Sequence, residues 1–140
     1  MDISVNYVAI LAAAVASMAV GFLWYGPILG KQWIKLKGYT KESLEKEKSK
    51  MGPYYGASFV IALLTAYVLT HIMTLSQNFY GYPPVQTGLT SAFFVWLGFV
   101  FPTQATGTIF GDKNMKLLAI DTGHQLTSLL IMGLVIGYLG

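Results

Sequence analysis

Four runs of apolar residues divide the chain, about Ile3 to Trp24, Tyr55 to Leu75, Thr87 to Phe110 and Leu117 to Leu139. Each is close to the ~20 residues that a helix rising ~1.5 Å per residue needs to cross a hydrocarbon core of ~30 Å. The runs are too long and too evenly apolar for the strands of a membrane barrel, which need only about 10 residues of alternating polarity. The pattern predicts an all-α integral membrane protein, with four transmembrane helices forming a single domain over residues 1–140. Ala14-Val15-Ala16 has the look of a cleavage site, yet no lysine precedes it and the apolar run continues to Trp24. An uncleaved first helix is therefore expected.

The polar intervals are as informative as the apolar ones. Between the first two runs, residues 26–53 open with Gly26-Pro27, which should break the first helix. From Gly30 to Leu36 lysines alternate with Trp33, Ile34 and Leu36, the pattern of a short amphipathic segment lying in the membrane interface. Gly38 should stop that segment, Thr40 should cap a second helix running through Leu44 to Lys50, and Gly52-Pro53 should end it before the next crossing.

Composition agrees with a membrane protein: 54% of the residues are hydrophobic and only 11% charged, against roughly 25% charged in an ordinary soluble domain. Mean hydropathy is +0.56. Cysteine is absent, which excludes disulfides, thiolate metal sites, iron–sulfur clusters and cysteine nucleophiles.

All nine basic residues are lysines, seven between the first and second runs (Lys31, Lys35, Lys37, Lys41, Lys46, Lys48, Lys50) and two between the third and fourth (Lys113, Lys116). The segment Ser76 to Gln86 has none. Two intervals that must share one side of a four-helix protein thus carry the whole positive charge. The positive-inside rule puts that side in the cytoplasm and both termini outside, in the cell membrane. The net charge of +3 then reflects orientation and contact with anionic lipid headgroups; a nucleic-acid partner is not expected, since arginine is absent. Trp24, Tyr25 and Trp33 fall near the lysine-side boundary as belt residues.

The fourth run is not uniformly apolar. Asp121, His124, Gln125, Ser128 and Met132 fall within about 100° of one another on a helix. A carboxylate at helix centre costs roughly 2.5 to 3.5 kcal/mol on insertion scales, so it is paired, turned inward or neutralised. The third helix, running the other way, brings Thr103, Gln104, Thr106 and Thr108 to similar depth, with Pro102 positioned to kink it. Two readings follow: interhelical glue, with Asp121 accepting from Thr or Gln of the third helix, or a hydrated proton-coupled or cation-binding pair of Asp121 and His124.

A separate face of the fourth helix carries Gly133 and Gly137, and the first helix carries Ala9, Ala13, Ser17 and Gly21 at four-residue spacing. Small residues so spaced allow close helix packing. His71 and His124 fall at depths of roughly 24 and 12 Å from the lysine side, too far apart to share a metal or haem. No metal site and no cofactor is expected. An internal echo, "GPILGKQWIK" (26–35) and "GTIFGDKNMK" (107–116), hints at two related helical hairpins.

The stretches "FLWYGPILGKQWIKLKGYTKE" and "WLGFVFPTQATGTIFGDKNMKLLAIDTGHQL" resemble a family of small four-helix prokaryotic membrane proteins, the domain of unknown function 1761. The interface pieces Trp24, Tyr25, Gly26, Pro27, Gly30 and Trp33 are among the most specific parts of the match. The resemblance implies the same four-helix topology and supplies no activity, substrate or catalytic residue. No phosphate loop, zinc-protease helix or nucleophile elbow is present, so an enzyme is not expected. The expected function is a non-catalytic packing or accessory component of a membrane assembly, as a homo-oligomer or a subunit of a complex. The alternative is a small-solute, cation or proton-coupled transporter or channel built on the polar layer.

Overall fold

The computed structural model describes residues 5–49, 51–111 and 114–140. The expected start of the first helix at Ile3, together with Lys50 and Lys113, lies outside the described residues. Seven α-helices are found among them: α1 (Tyr7–Leu23), α2 (Gly30–Lys37), α3 (Lys41–Ser49), α4 (Met51–Tyr80), α5 (Pro84–Val95), α6 (Phe101–Phe110) and α7 (Met115–Leu139). No strand occurs among the described residues. Four of the resulting segments are long and apolar enough to cross a membrane: Tyr7–Ile28, Gly52–Tyr80, Pro84–Phe110 and Met115–Leu139.

Two of these spans contain a wide turn, and each wide turn begins with a tryptophan. Trp24–Ile28 and Trp96–Val100 are single π-helical turns, closed by Leu29 N–H donating to the Trp24 carbonyl at 2.9 Å and by Phe101 N–H donating to the Trp96 carbonyl. Pro27 and Pro102 lack the N–H that would bond Leu23 and Gly98, and a widened turn is one way a helix accommodates that loss. Gly26-Pro27 thus widens the first helix before α2 begins, and Gly26 takes a non-helical conformation (φ −108°, ψ −105°).

The other boundaries follow local chemistry. α2 stops at Gly38, whose positive φ of 73° lets Gly38 N–H reach the Lys35 carbonyl and Tyr39 N–H the Ile34 carbonyl. Thr40 caps α3: its Oγ1 accepts from Ser43 N–H at 3.2 Å while its own N–H donates to Ser43 Oγ at 2.8 Å. Gly52-Pro53 does not separate α3 from the second span as expected. Pro53 sits in the first turn of α4, where a missing N–H costs nothing, and α4 extends past the expected end at Leu75 to Tyr80. Asn114 caps α7 by accepting from Leu117 N–H at 3.2 Å.

The fourth span is the hub. In its most hydropathic window 39% of residues are buried, against 22 to 28% in the other three. α7 packs chiefly on α5 and α1, and α4 lies across α1 and α5. Against α5 the contact is backbone to backbone: a Cβ on Gly88 or Gly133 would collide with the other's carbonyl, and one on Gly137 would come within 2.6 Å of the Pro84 carbonyl oxygen. Ala13, Ala14 and Ala66 are wholly buried where α1 meets α4, and Met132 and Ile136 bring α7 into the same core. Ala9 is also buried. The far ends are tied by Asn6, which caps α1 through Val8 and Ala9 and donates its Nδ2–H to the Leu139 carbonyl at 3.0 Å.

The glycine contact makes a direct prediction. Gly133→Val should lower stability in micelles by about 1 to 3 kcal/mol, the usual cost of overpacking. Gly56→Ala, at an α4 glycine with nothing within 4 Å of an added Cβ, should cause no loss. Reversible unfolding in a mixed detergent series measures both.

Candidate functional site

Asp121 and His124 of α7 meet the end of the first span, while Thr122 meets Trp96 of the third. Tyr25 O–H donates to Asp121 Oδ1 at 2.6 Å, and Trp24 Nε1–H donates to the Ile120 carbonyl at 2.9 Å. On the other side of α7, Trp96 Nε1–H donates to the Thr122 carbonyl at 2.9 Å and lies 3.0 Å from Thr122 Oγ1. The two tryptophans that open the π-helical turns therefore grip carbonyls two residues apart on one helix. A helical carbonyl retains a second lone pair after its intrahelical bond, so the indoles are satisfied without water. Gly123 leaves room for this grip: a Cβ there would stand 3.1 Å from the Trp24 ring.

His124 completes the cluster. Its ring packs on Tyr25 at 4.9 Å and beside Trp24 at 6.5 Å, and its Nε2 lies 3.3 Å from Ser128 Oγ. A Cβ on Gly21 would stand 3.4 Å from the same Nε2, so the small stripe of α1 receives the imidazole. His124, Gln125, Ser128 and Met132 then face a cleft of about 570 Å³ between α1, α4 and α7. Ser17 of α1 lines it too. The cleft runs from Tyr54 and Trp33 at the lysine-bearing end to Met132, and Met132 and Ala62 at its inner end belong to the apolar core.

Thr103, Gln104 and Thr108 are not brought to Asp121 and His124 by any hydrogen bond. Thr103 Oγ1–H donates to the Phe99 carbonyl of its own helix at 2.6 Å, and Gln104 Oε1 is buried without a partner among the described residues. α6 also lies against α7, but the hydrogen bonds from the third span to α7 are made by Trp96, which opens the π-helical turn before Pro102. His71 is satisfied locally, with Nδ1–H donating to the Tyr67 carbonyl at 2.9 Å. Among the described residues no group of three His, Asp or Glu side chains is placed to hold a metal.

Tyr25 and Trp24 are the site residues that sequence reasoning treated as interface signature alone. Their depth was the available signal: both stand near the lysine-side boundary, where Asp121 also lies. In the echo of residues 26–35 in 107–116, residues 26–28 close the first span before α2 and residues 107–110 close α6 before α7. The correspondence the fold displays pairs Trp24 with Trp96, in a different register.

Fold and site together define a four-helix membrane protein whose central helix is held by aromatic donors from two neighbours. Residues 8–137 match the family model described as protein of unknown function DUF1761, and the chain belongs to that family. No curated protein and no solved structure matches the chain.

The Tyr25–Asp121 bond should be measurable as a coupling. A double-mutant cycle of Tyr25→Phe and Asp121→Asn should give an interaction of about 1 kcal/mol, between the ~0.6 average and ~1.7 maximum of intramembrane hydrogen bonds. Strict additivity in unfolding free energies would show the bond to be energetically idle.

Proposed function

We propose that this chain is a non-catalytic accessory component of the cell membrane, its lysine-bearing end in the cytoplasm and both termini outside, acting as an oligomer or within a larger membrane assembly. The observation that carries the reading is the use made of Asp121, the single carboxylate within the four spans. Its Oδ1 accepts from Tyr25, which joins the central helix to the end of the first span. A carboxylate so engaged serves as a fixed acceptor that sets helix register, as intramembrane polar groups do when they act as glue. The lysines of α2 and the start of α7 supply a basic rim for anionic headgroups. The transport reading has one observation in its favour, the presence of His124 in the cleft.

Proteoliposomes carrying an internal pH dye separate the two. The accessory reading expects proton and cation flux at the level of empty vesicles across pH 5 to 8. Flux above that level, and its loss in a folded His124→Gln protein, would replace it with transport. Orientation is checked in the cysteine-free background by single cysteines at Glu45 and Asn78: an impermeant thiol reagent outside intact cells should label Asn78→Cys and leave Glu45→Cys unlabelled.

A further inference from the structure

The cleft between α1, α4 and α7 contains more hydrogen-bonding capacity than the protein uses. Elsewhere in the spans Thr70, Thr74, Thr90, Thr103 and Thr127 each donate to the carbonyl four residues back. Ser17 on α1, Ser58 and Thr65 on α4, and Gln125 on α7 line the cleft and make no hydrogen bond among the described residues. Groups left without partners in a bilayer are costly, so this lining calls for a guest that bonds to it.

The surroundings restrict the guest. Among the described residues no lysine, aspartate or glutamate lines the cleft, so, His124 apart, recognition rests on neutral donors and acceptors. Its mouth carries exposed Phe22, Tyr55 and Ser58, all inside the spans, so the approach is through the bilayer. Phe22 of α1 and Tyr55 of α4 meet edge to face at 5.0 Å, and Tyr25 meets Trp33 likewise at 5.3 Å, giving aromatic surfaces on which a planar ring packs well. The unspent polar groups come from all three helices that line the cleft, α1, α4 and α7. The volume of about 570 Å³ is that of a small-molecule site.

We propose that this cleft binds an uncharged, lipid-soluble ring compound carrying two hydrogen-bonding oxygens, of which a quinone is the simplest class. Ser58 and Thr65 stand seven residues, about 10 Å, apart along α4, so Ser58 with Gln125 bonds one oxygen, Thr65 with Ser17 the other, and the ring lies against the aromatic mouth. The site does not depend on the accessory reading; a protein without flux binds as well as one with it.

The test is thermal unfolding in micelles with decylubiquinone as probe, and with monoolein and oleate as ringless neutral and anionic comparators. The wild-type protein should show a saturable rise of about 4 °C or more with decylubiquinone and less with either comparator. Ser58→Trp, at an exposed position on the rim, should abolish the rise by filling the cleft. Ser17→Ala/Ser58→Ala/Thr65→Val keeps the space, removes three of the polar groups, and should weaken apparent affinity by about tenfold or more. Thr65→Phe replaces Ser58→Trp if the latter fails to fold by size-exclusion chromatography and circular dichroism. No saturable rise, a rise equal in wild type and folded variants, or an equal rise with monoolein or oleate would each overturn the proposal.

Discussion

The approach of α5 to α7 at Gly88 and Gly133, with no side chain between them, positions the rest of the bundle. Lipid tails solvate apolar side chains as well as other helices do, so association in a bilayer draws on close packing and hydrogen bonds instead of the hydrophobic effect. A glycine pair permits the closest backbone approach, and Pro84 against Gly137 extends it toward the end of α7. With α7 seated on α5, its opposite side is presented to α1 and α4, where Ala13, Ala14, Ala66 and Met132 interlock.

On that frame the two tryptophan-led turns act as matched clamps. Proline 27 and proline 102 each remove a backbone donor, and each lies three or more residues after a tryptophan whose indole reaches α7. Local loss of helical bonding is thereby coupled to a tertiary bond at the same depth. Tyr25 adds its hydroxyl to the first clamp and gives Asp121 the partner that a carboxylate in a membrane requires. The grip holds α7 from both sides near its lysine-bearing end, while the glycine contact holds it toward the other.

What remains open between these fixed contacts is the cleft. The lysine-bearing half of α4 does not close on α7: Tyr54, Tyr55 and Ser58 stay exposed, while Ala62, Ala66 and Leu69 further along are buried. The fold is thus tight at its glycine and alanine end and spacious at its aromatic end. Chemistry available to the chain is concentrated in the spacious half, where neutral polar groups outnumber the bonds made among them.

Much of this architecture was legible in residue order alone. Four long apolar runs dictate four spanning helices, because a bilayer admits no other structure for such segments; Gly38 and Thr40 mark helix ends through backbone preferences that act within a few residues. Which helix Asp121 faces was not legible. Depth along the membrane follows from counting residues, but azimuth depends on how far each proline-induced turn rotates the helix beyond it, and Thr103 and Gln104 stood at the right depth on the wrong bearing. Sequence by itself determined the number of spans and the small faces that let them pack; only tertiary structure decided that Tyr25, rather than the third helix, meets Asp121, and that the unspent hydroxyls of α1 and α4 share one cleft, because both outcomes rest on helix rotation and tilt, which no local interaction sets.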